Sequence, residues 1–180
     1  MKFVCIMGRS NSGKSTVEKT LEQMGFKRSI SYTSREPQIR NGIQEKNGHE
    51  YMFVSEDKFR ELVAKKHIIE YERYGNNLYG TPRPSGAKRY VAVVCIGGYR
   101  ALKKLYGDQV LGVYLKCDED IAFSRGQQRD GSTNLVSKRK QEDENLLAEM
   151  EKEADIVIDG NQDLNKMLAD ILKALRDRNI

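Results

Sequence analysis

The chain has 180 residues, 38% hydrophobic and 32% charged, a size and balance that suit one soluble globular domain with a sizeable core. Its 31 Lys and Arg against 26 Asp and Glu leave a net charge of +5, which favours anionic ligands. No RNA-type aromatic motif or basic stripe accompanies that charge, so no nucleic-acid partner is expected. Three widely spaced cysteines (Cys5, Cys95, Cys117) and two histidines argue against a disulfide framework or a zinc cluster. The longest apolar run, Val91 to Ile96, is far too short to cross a bilayer, and the N-terminus enters a strand at once, so no membrane partner is expected and the expected location is cytoplasmic.

Taken in order, Lys2-Phe3-Val4-Cys5-Ile6-Met7 reads as a buried strand and residues 14–24 as a helix with Val17, Leu21 and Met24 on one face and Gly25 at its C-cap. Residues 30–84 hold all three prolines and five of nine tyrosines, which predicts an inserted subdomain of short strands and turns around one helix near 56–66. Val91–Ile96 predicts a return to the core strand set, followed by a helix near 99–106 and a strand over 110–115. Asp118 is placed to N-cap the next helix. Residues 126–141, polar and basic, predict a loop. A charged helix near 141–153, a short strand at 156–158 and an amphipathic helix over 163–176 close the chain. Apolar strands alternating with helices predict a parallel sheet covered on both faces with right-handed crossovers.

Between the first strand and first helix lies Gly8-Arg9-Ser10-Asn11-Ser12-Gly13-Lys14-Ser15, followed by Thr16. It fits the P-loop pattern in the strand–turn–helix context that pattern requires. A chance match in a chain of this length is on the order of one per cent at ordinary residue frequencies. The glycines let successive N–H groups curl inward on an anion, and the helix N-terminus adds its positive end. Lys14 is then the cation for the β- and γ-phosphates of ATP, and the Ser15 hydroxyl the ligand for Mg²⁺.

A second constellation runs through the insert: Arg35 and Arg40 after Ser31-Tyr32-Thr33-Ser34, then Gly48-His49-Glu50-Tyr51, Glu70, and Tyr79-Gly80-Thr81. Forked guanidinium donors and phenols suit a phosphate monoester. Glu70, after two isoleucines, can accept two hydrogen bonds from one ligand edge; guanine offers adjacent N1–H and N2–H₂ donors, and adenine does not.

On these residues the sequence resembles the guanylate kinases over nearly its whole length. The resemblance implies an α/β, three-layer P-loop kinase fold with a core (1–29, 85–124, 142–180), a substrate-binding insert (30–84) and a lid (125–141). It also implies phosphoryl transfer from ATP to GMP or dGMP with Mg²⁺, in a monomer or weak dimer. By position, Arg35, Arg40, Tyr51 and Tyr79 would hold the GMP phosphate, and Ser31, Glu70 and Thr81 would read the guanine. Arg125, Arg129 and Arg139 would join Lys14 in neutralising charge on the transferred group. The sequence departs from the family pattern at Gln38, with Arg40 two residues beyond it, at Cys95 and Gly97, where the family commonly carries aspartates, and near Gly160, where an asparagine is expected. Taken alone, the residues leave room for a kinase of the same fold acting on another nucleoside monophosphate or small phosphorylated metabolite, and for a non-catalytic guanylate-kinase-like binding module.

Overall fold

In a computed structural model, residues 1–40, 42–130 and 140–179 are described, without the side chains of residues 40, 129, 130 and 140–143. The elements run β1 (Lys2–Met7), α1 (Lys14–Gln23), β2 (Lys27–Arg28), β3 (Tyr32–Thr33), β4 (Ile39–Arg40), β5 (Ile43–Gln44), β6 (Met52–Phe53), α2 (Glu56–Ala64), β7 (Ile68–Tyr74) and β8 (Asn77–Pro82). They continue with β9 (Arg89–Val93), α3 (Ile96–Tyr106), β10 (Val110–Lys116), α4 (Glu119–Asp130), α5 (Lys140–Glu153), β11 (Ile156–Asp159) and α6 (Leu164–Asp177). Five strands form a wholly parallel sheet in the order β11-β10-β1-β9-β2.

The first strand shows why the sheet is covered on both faces. Its residues alternate sides, and both sides are apolar. Val4 and Ile6 join Val17 and Leu21 of α1 and Met167, Ile171 and Leu175 of α6 in one core. Phe3, Cys5 and Met7 join Ile96, Tyr99 and Leu102 of α3 and Met150 of α5 in the other. That is the expected helix–sheet–helix layering.

A separate four-stranded sheet, β6-β3-β8-β7, carries the insert. Its small core is Phe59 and Leu62 of α2 against Ile68 and Leu78. Ser55 caps α2, accepting from the Lys58 amide at 3.2 Å, and Glu56 and Asp57 sit in the first turn, where negative charge suits the helix N-terminus.

Several boundaries differ from expectation. The apolar run at 91–96 is not one strand. The chain leaves the sheet after Val93, and Cys95 starts α3, its Sγ accepting from the Gly98 amide at 3.4 Å. The helix predicted near 99–106 thus begins at Ile96. The loop predicted over 126–141 is helical through Asp130. Edge strand β2, Lys27-Arg28, has no apolar signature and was not predicted. Among the described residues no helix is long and apolar enough to cross a membrane.

Candidate active site

The loop after β1 rises at the carboxyl end of the central strand, in the crevice where parallel α/β sheets bind ligands. Gly8 has φ 141°, and a Cβ there would meet the Leu115 carbonyl oxygen at 2.6 Å and Ser12 Oγ at 3.0 Å, so only glycine fits. Asn11 (φ 63°) and Gly13 (φ 99°) complete the curl in the left-handed region. Gly13 leads into α1 with no side-chain cap and no acidic residue in the first turn, so that helix end keeps its positive field for a ligand. Lys14 Nζ lies over the loop, donating to the Arg9 carbonyl at 2.5 Å. Ser12 Oγ and Arg9 Nε are buried with no hydrogen-bond partner among the described residues. A backbone cradle with orphaned polar atoms beside a lysine fits a phosphate chain.

Beyond the loop opens a cavity of about 1000 Å³ that runs from the first helix to the insert. Gly8, Ser15 and Thr16 line one end, and Ser31, Tyr51, Glu70, Tyr79 and Thr81 the other. Five residues scattered over fifty positions of sequence thus meet on one wall. Strand alternation does part of this work. In β8, Leu78 and Gly80 turn to the insert core, where a Cβ on Gly80 would meet Phe59 Cζ at 2.8 Å, and Tyr79 and Thr81 turn to the cavity.

Glu70 is paired across the strands with Thr81, whose hydroxyl donates to Glu70 Oε2 at 3.3 Å. The Cys95 thiol stands 4.0 Å from the same oxygen. Burial, then the charge of Glu72, raises the Glu70 carboxyl above its ordinary value, against the Thr81 hydrogen bond. Burial and the neighbouring Glu70 charge push the Cys95 thiol up to about 12, so it stays a neutral donor. Gly97 and Gly98 explain the bare backbone here. A Cβ on Gly97 would meet Glu70 Oε1 at 2.8 Å, and one on Gly98 would meet Thr81 Oγ1 at 2.5 Å. An aspartate at either Cys95 or Gly97 would crowd a second carboxylate onto Glu70.

The remaining predicted residues are arranged differently. Arg35 pairs with Glu45 at 2.8 Å and lies over the rings of Tyr51 and Phe53, at 5.5 and 5.4 Å. Arg40 ends β4, and only its backbone is described. Arg125 does not reach the large cavity; its Nη1 donates to the Gly160 carbonyl at 2.8 Å beside Cys117 Sγ. Arg129 lies in α4 with its side chain undescribed, and Arg139 falls outside the described residues. Arg9 lines a second, smaller pocket of about 290 Å³ instead.

Among the described residues no three His, Cys, Asp or Glu cluster to hold a metal ion. The Ser15 hydroxyl on the cavity wall is therefore a fit for Mg²⁺ only as an ion that arrives with phosphate oxygens around it. Sequence reasoning missed Glu18 and Arg28, both on this wall and in contact at 3.0 Å. A polar residue between Val17 and Leu21 was their one faint signal.

The profile of the guanylate kinase family matches residues 1–178. A guanylate kinase of Prochlorococcus marinus is 30% identical over 184 residues, covering 97% of this chain and 96% of that protein. One of Bacteroides fragilis is 29% identical over 188 residues, covering 98% and 89%. The crystal structure of guanylate kinase from Anaplasma phagocytophilum superposes with a TM-score of 0.67 at 20% identity, covering 98% of this chain and 85% of that one, a likeness of fold. Matched by the family's profile almost from end to end, the chain belongs to the guanylate kinase family.

Proposed function

We propose that this protein transfers the γ-phosphoryl group of ATP to GMP or dGMP, giving ADP and GDP or dGDP. The observation that carries the reading is the single cavity whose two ends hold a backbone anion cradle and a carboxylate–hydroxyl pair suited to guanine. Gly8, the turn to Gly13, and Lys14 bind the donor phosphates. Arg35, Arg40, Tyr51 and Tyr79 hold the acceptor phosphate. Glu70, Thr81 and Ser31 orient the base. Ser15 would hold a Mg²⁺ that arrives with the nucleotide phosphates, and that ion would supply charge neutralisation there. Catalysis is positioning plus electrostatic stabilisation, with no covalent enzyme intermediate. Arg125 commits its guanidinium to Gly160 and Cys117, so a role over the triphosphate, beside Arg129 and Arg139, requires its release from those partners.

The test is a coupled assay with ATP and each common nucleoside monophosphate. GMP and dGMP are expected to lead AMP, CMP and UMP by at least about 10²-fold in kcat/KM, a floor below the roughly 10⁴- to 10⁵-fold reached when a site built to hydrogen-bond a substrate group rejects an analogue lacking it. Glu70→Gln is expected to erase most of that lead. Equal rates for all monophosphates overturn the guanine assignment, and a preference for another acceptor replaces it.

A further inference from the structure

The wall of the cavity carries an ion pair that phosphate and guanine chemistry leave unused. Glu18 lies on α1 beyond Ser15, and Arg28 ends β2; their side chains are 8% and 11% exposed. Arg28 Nε donates to Glu18 Oε2 at 3.0 Å, and Glu18 Oε1 accepts from the Val93 amide at the end of β9, at 3.3 Å. Glu22, one turn further along α1, stands 3.9 Å from Arg28 Nη1. The third partner belongs to the insert: Arg28 Nη2 donates to the His49 carbonyl at 2.8 Å.

His49 sits two residues before Tyr51 in a tight turn. The Gly48 amide donates to the Tyr51 carbonyl at 2.8 Å, and the His49 amide to Lys46 at 3.0 Å. Fixing the His49 carbonyl therefore fixes where Tyr51 stands, edge-on to Tyr79 at 5.8 Å and under Arg35. A desolvated ion pair alone would be weak grounds for any role, since burial offsets most of its Coulomb gain. What distinguishes this one is that a single nitrogen joins two parts of the fold: Arg28 Nη2 lies 3.0 Å from Glu18 Oε2 on the phosphate-loop helix and donates to the His49 carbonyl in a turn of the insert. A planar, rigid set of donors holds such a geometry, and an ammonium cannot.

We propose that Arg28, anchored by Glu18, is a positioning residue that sets the Tyr51 turn at a fixed place relative to α1, and so aligns the acceptor phosphate with the donor. This rests on the reading that Tyr51 faces an acceptor phosphate. The tether itself is a property of the protein without nucleotide.

The experiment compares the full chain with Arg28→Gln, Arg28→Lys and Glu18→Gln by two measurements. The first is amide hydrogen exchange in the nucleotide-free protein. Arg28→Gln is expected to quicken exchange at Gly48, Met52 and Phe53 roughly ten-fold, the scale of one lost charge-assisted hydrogen bond, and leave α1 and the central strands unchanged. The second is steady-state kinetics, where KM for GMP is expected to rise roughly ten-fold with KM for ATP unmoved. Arg28→Lys should resemble Arg28→Gln, and Glu18→Gln should fall between it and the parent. Unchanged exchange around the turn, or a uniform rise across the sheet, overturns the proposal and leaves a packing pair. Failure of the parent protein to phosphorylate GMP sinks the acceptor reading separately, and the exchange measurement still decides the tether.

Discussion

The loop that runs from Gly8 to Ser15 and the wall around Glu70 and Thr81 both border one cavity, yet the first is made of main chain and the second of side chains. The loop holds its shape through φ values that only glycine adopts easily and through contact with the Leu115 carbonyl. The wall depends on strand pairing between β7 and β8, on a packed α2, and on two glycines that leave room for a carboxylate. Main-chain donors survive most side-chain replacements, so the donor end has few positions at which one substitution destroys it. The acceptor end has many. Selectivity and catalytic competence should therefore be separable by mutation, with the first the easier to lose.

The largest effect should break the donor end at Lys14, the side chain proposed to bind the donor phosphates. Lys14→Ala is expected to lower kcat by about 10²- to 10³-fold, the range for removing one preorganised donor from a developing negative charge. Its thermal midpoint should stay near that of the parent, because Lys14 spans a loop and not a core. A parent-like kcat would mean that the cradle works without its cation.

Next, acid should distinguish the two ends. The Glu70 carboxyl is raised above its ordinary value of 4.5, chiefly by burial, and it must be charged to accept two donors. On acidification kcat/KM for GMP is expected to fall ten-fold per unit below that raised pKa, starting at higher pH than an ordinary glutamate would set. ATP affinity, measured by calorimetry, should hold through the same range. The sign separates this from unfolding. A carboxyl whose pKa rises on folding binds its proton more tightly in the folded state, so this group costs stability at high pH and that cost fades as pH falls. A GMP profile that follows ATP affinity would remove Glu70 from its assigned role.

The smallest effect should sharpen the comparison within the wall. Thr81→Val removes the hydroxyl that donates to Glu70 and is expected to raise KM for GMP by about ten-fold, the lower end of what a single hydrogen bond to a charged group is worth. ATP kinetics should not move.

How much of this was readable in advance follows the same divide. The donor loop is eight consecutive residues, so its chemistry and its place between strand and helix could be read directly. Tyr79-Gly80-Thr81 stands out in the sequence as a motif, but the strand alternation of β8 that carries Tyr79 and Thr81 to one side comes from the structure. The end of β9 could not be read, because an apolar run such as Val94-Cys95-Ile96 looks the same whether it closes a strand or opens a helix; only the Cys95 cap decides. The helix through Asp130 is hidden in the sequence because Gly126 and its polar neighbours carry no periodic apolar face. The Glu18–Arg28 contact joins two charged residues ten positions apart on different elements, and no local pattern announces such a pair. The strands of the insert sheet at residues 32–33 and 52–53 are too short for periodicity to speak at all.

The insert leaves the main sheet after Arg28 and comes back at Arg89, and β2 and β9 are hydrogen-bonded neighbours with Arg28 opposite Val91. Departure and return thus lie about two residues of register apart. A segment attached at such closely spaced points behaves like a cartridge: a foreign counterpart with the same foot spacing could be grafted there if it restored the packing of Ile69 on the second main core. The choice of acceptor in this architecture is in that sense transplantable, and Arg28 marks the seam at which any such graft would have to be tailored.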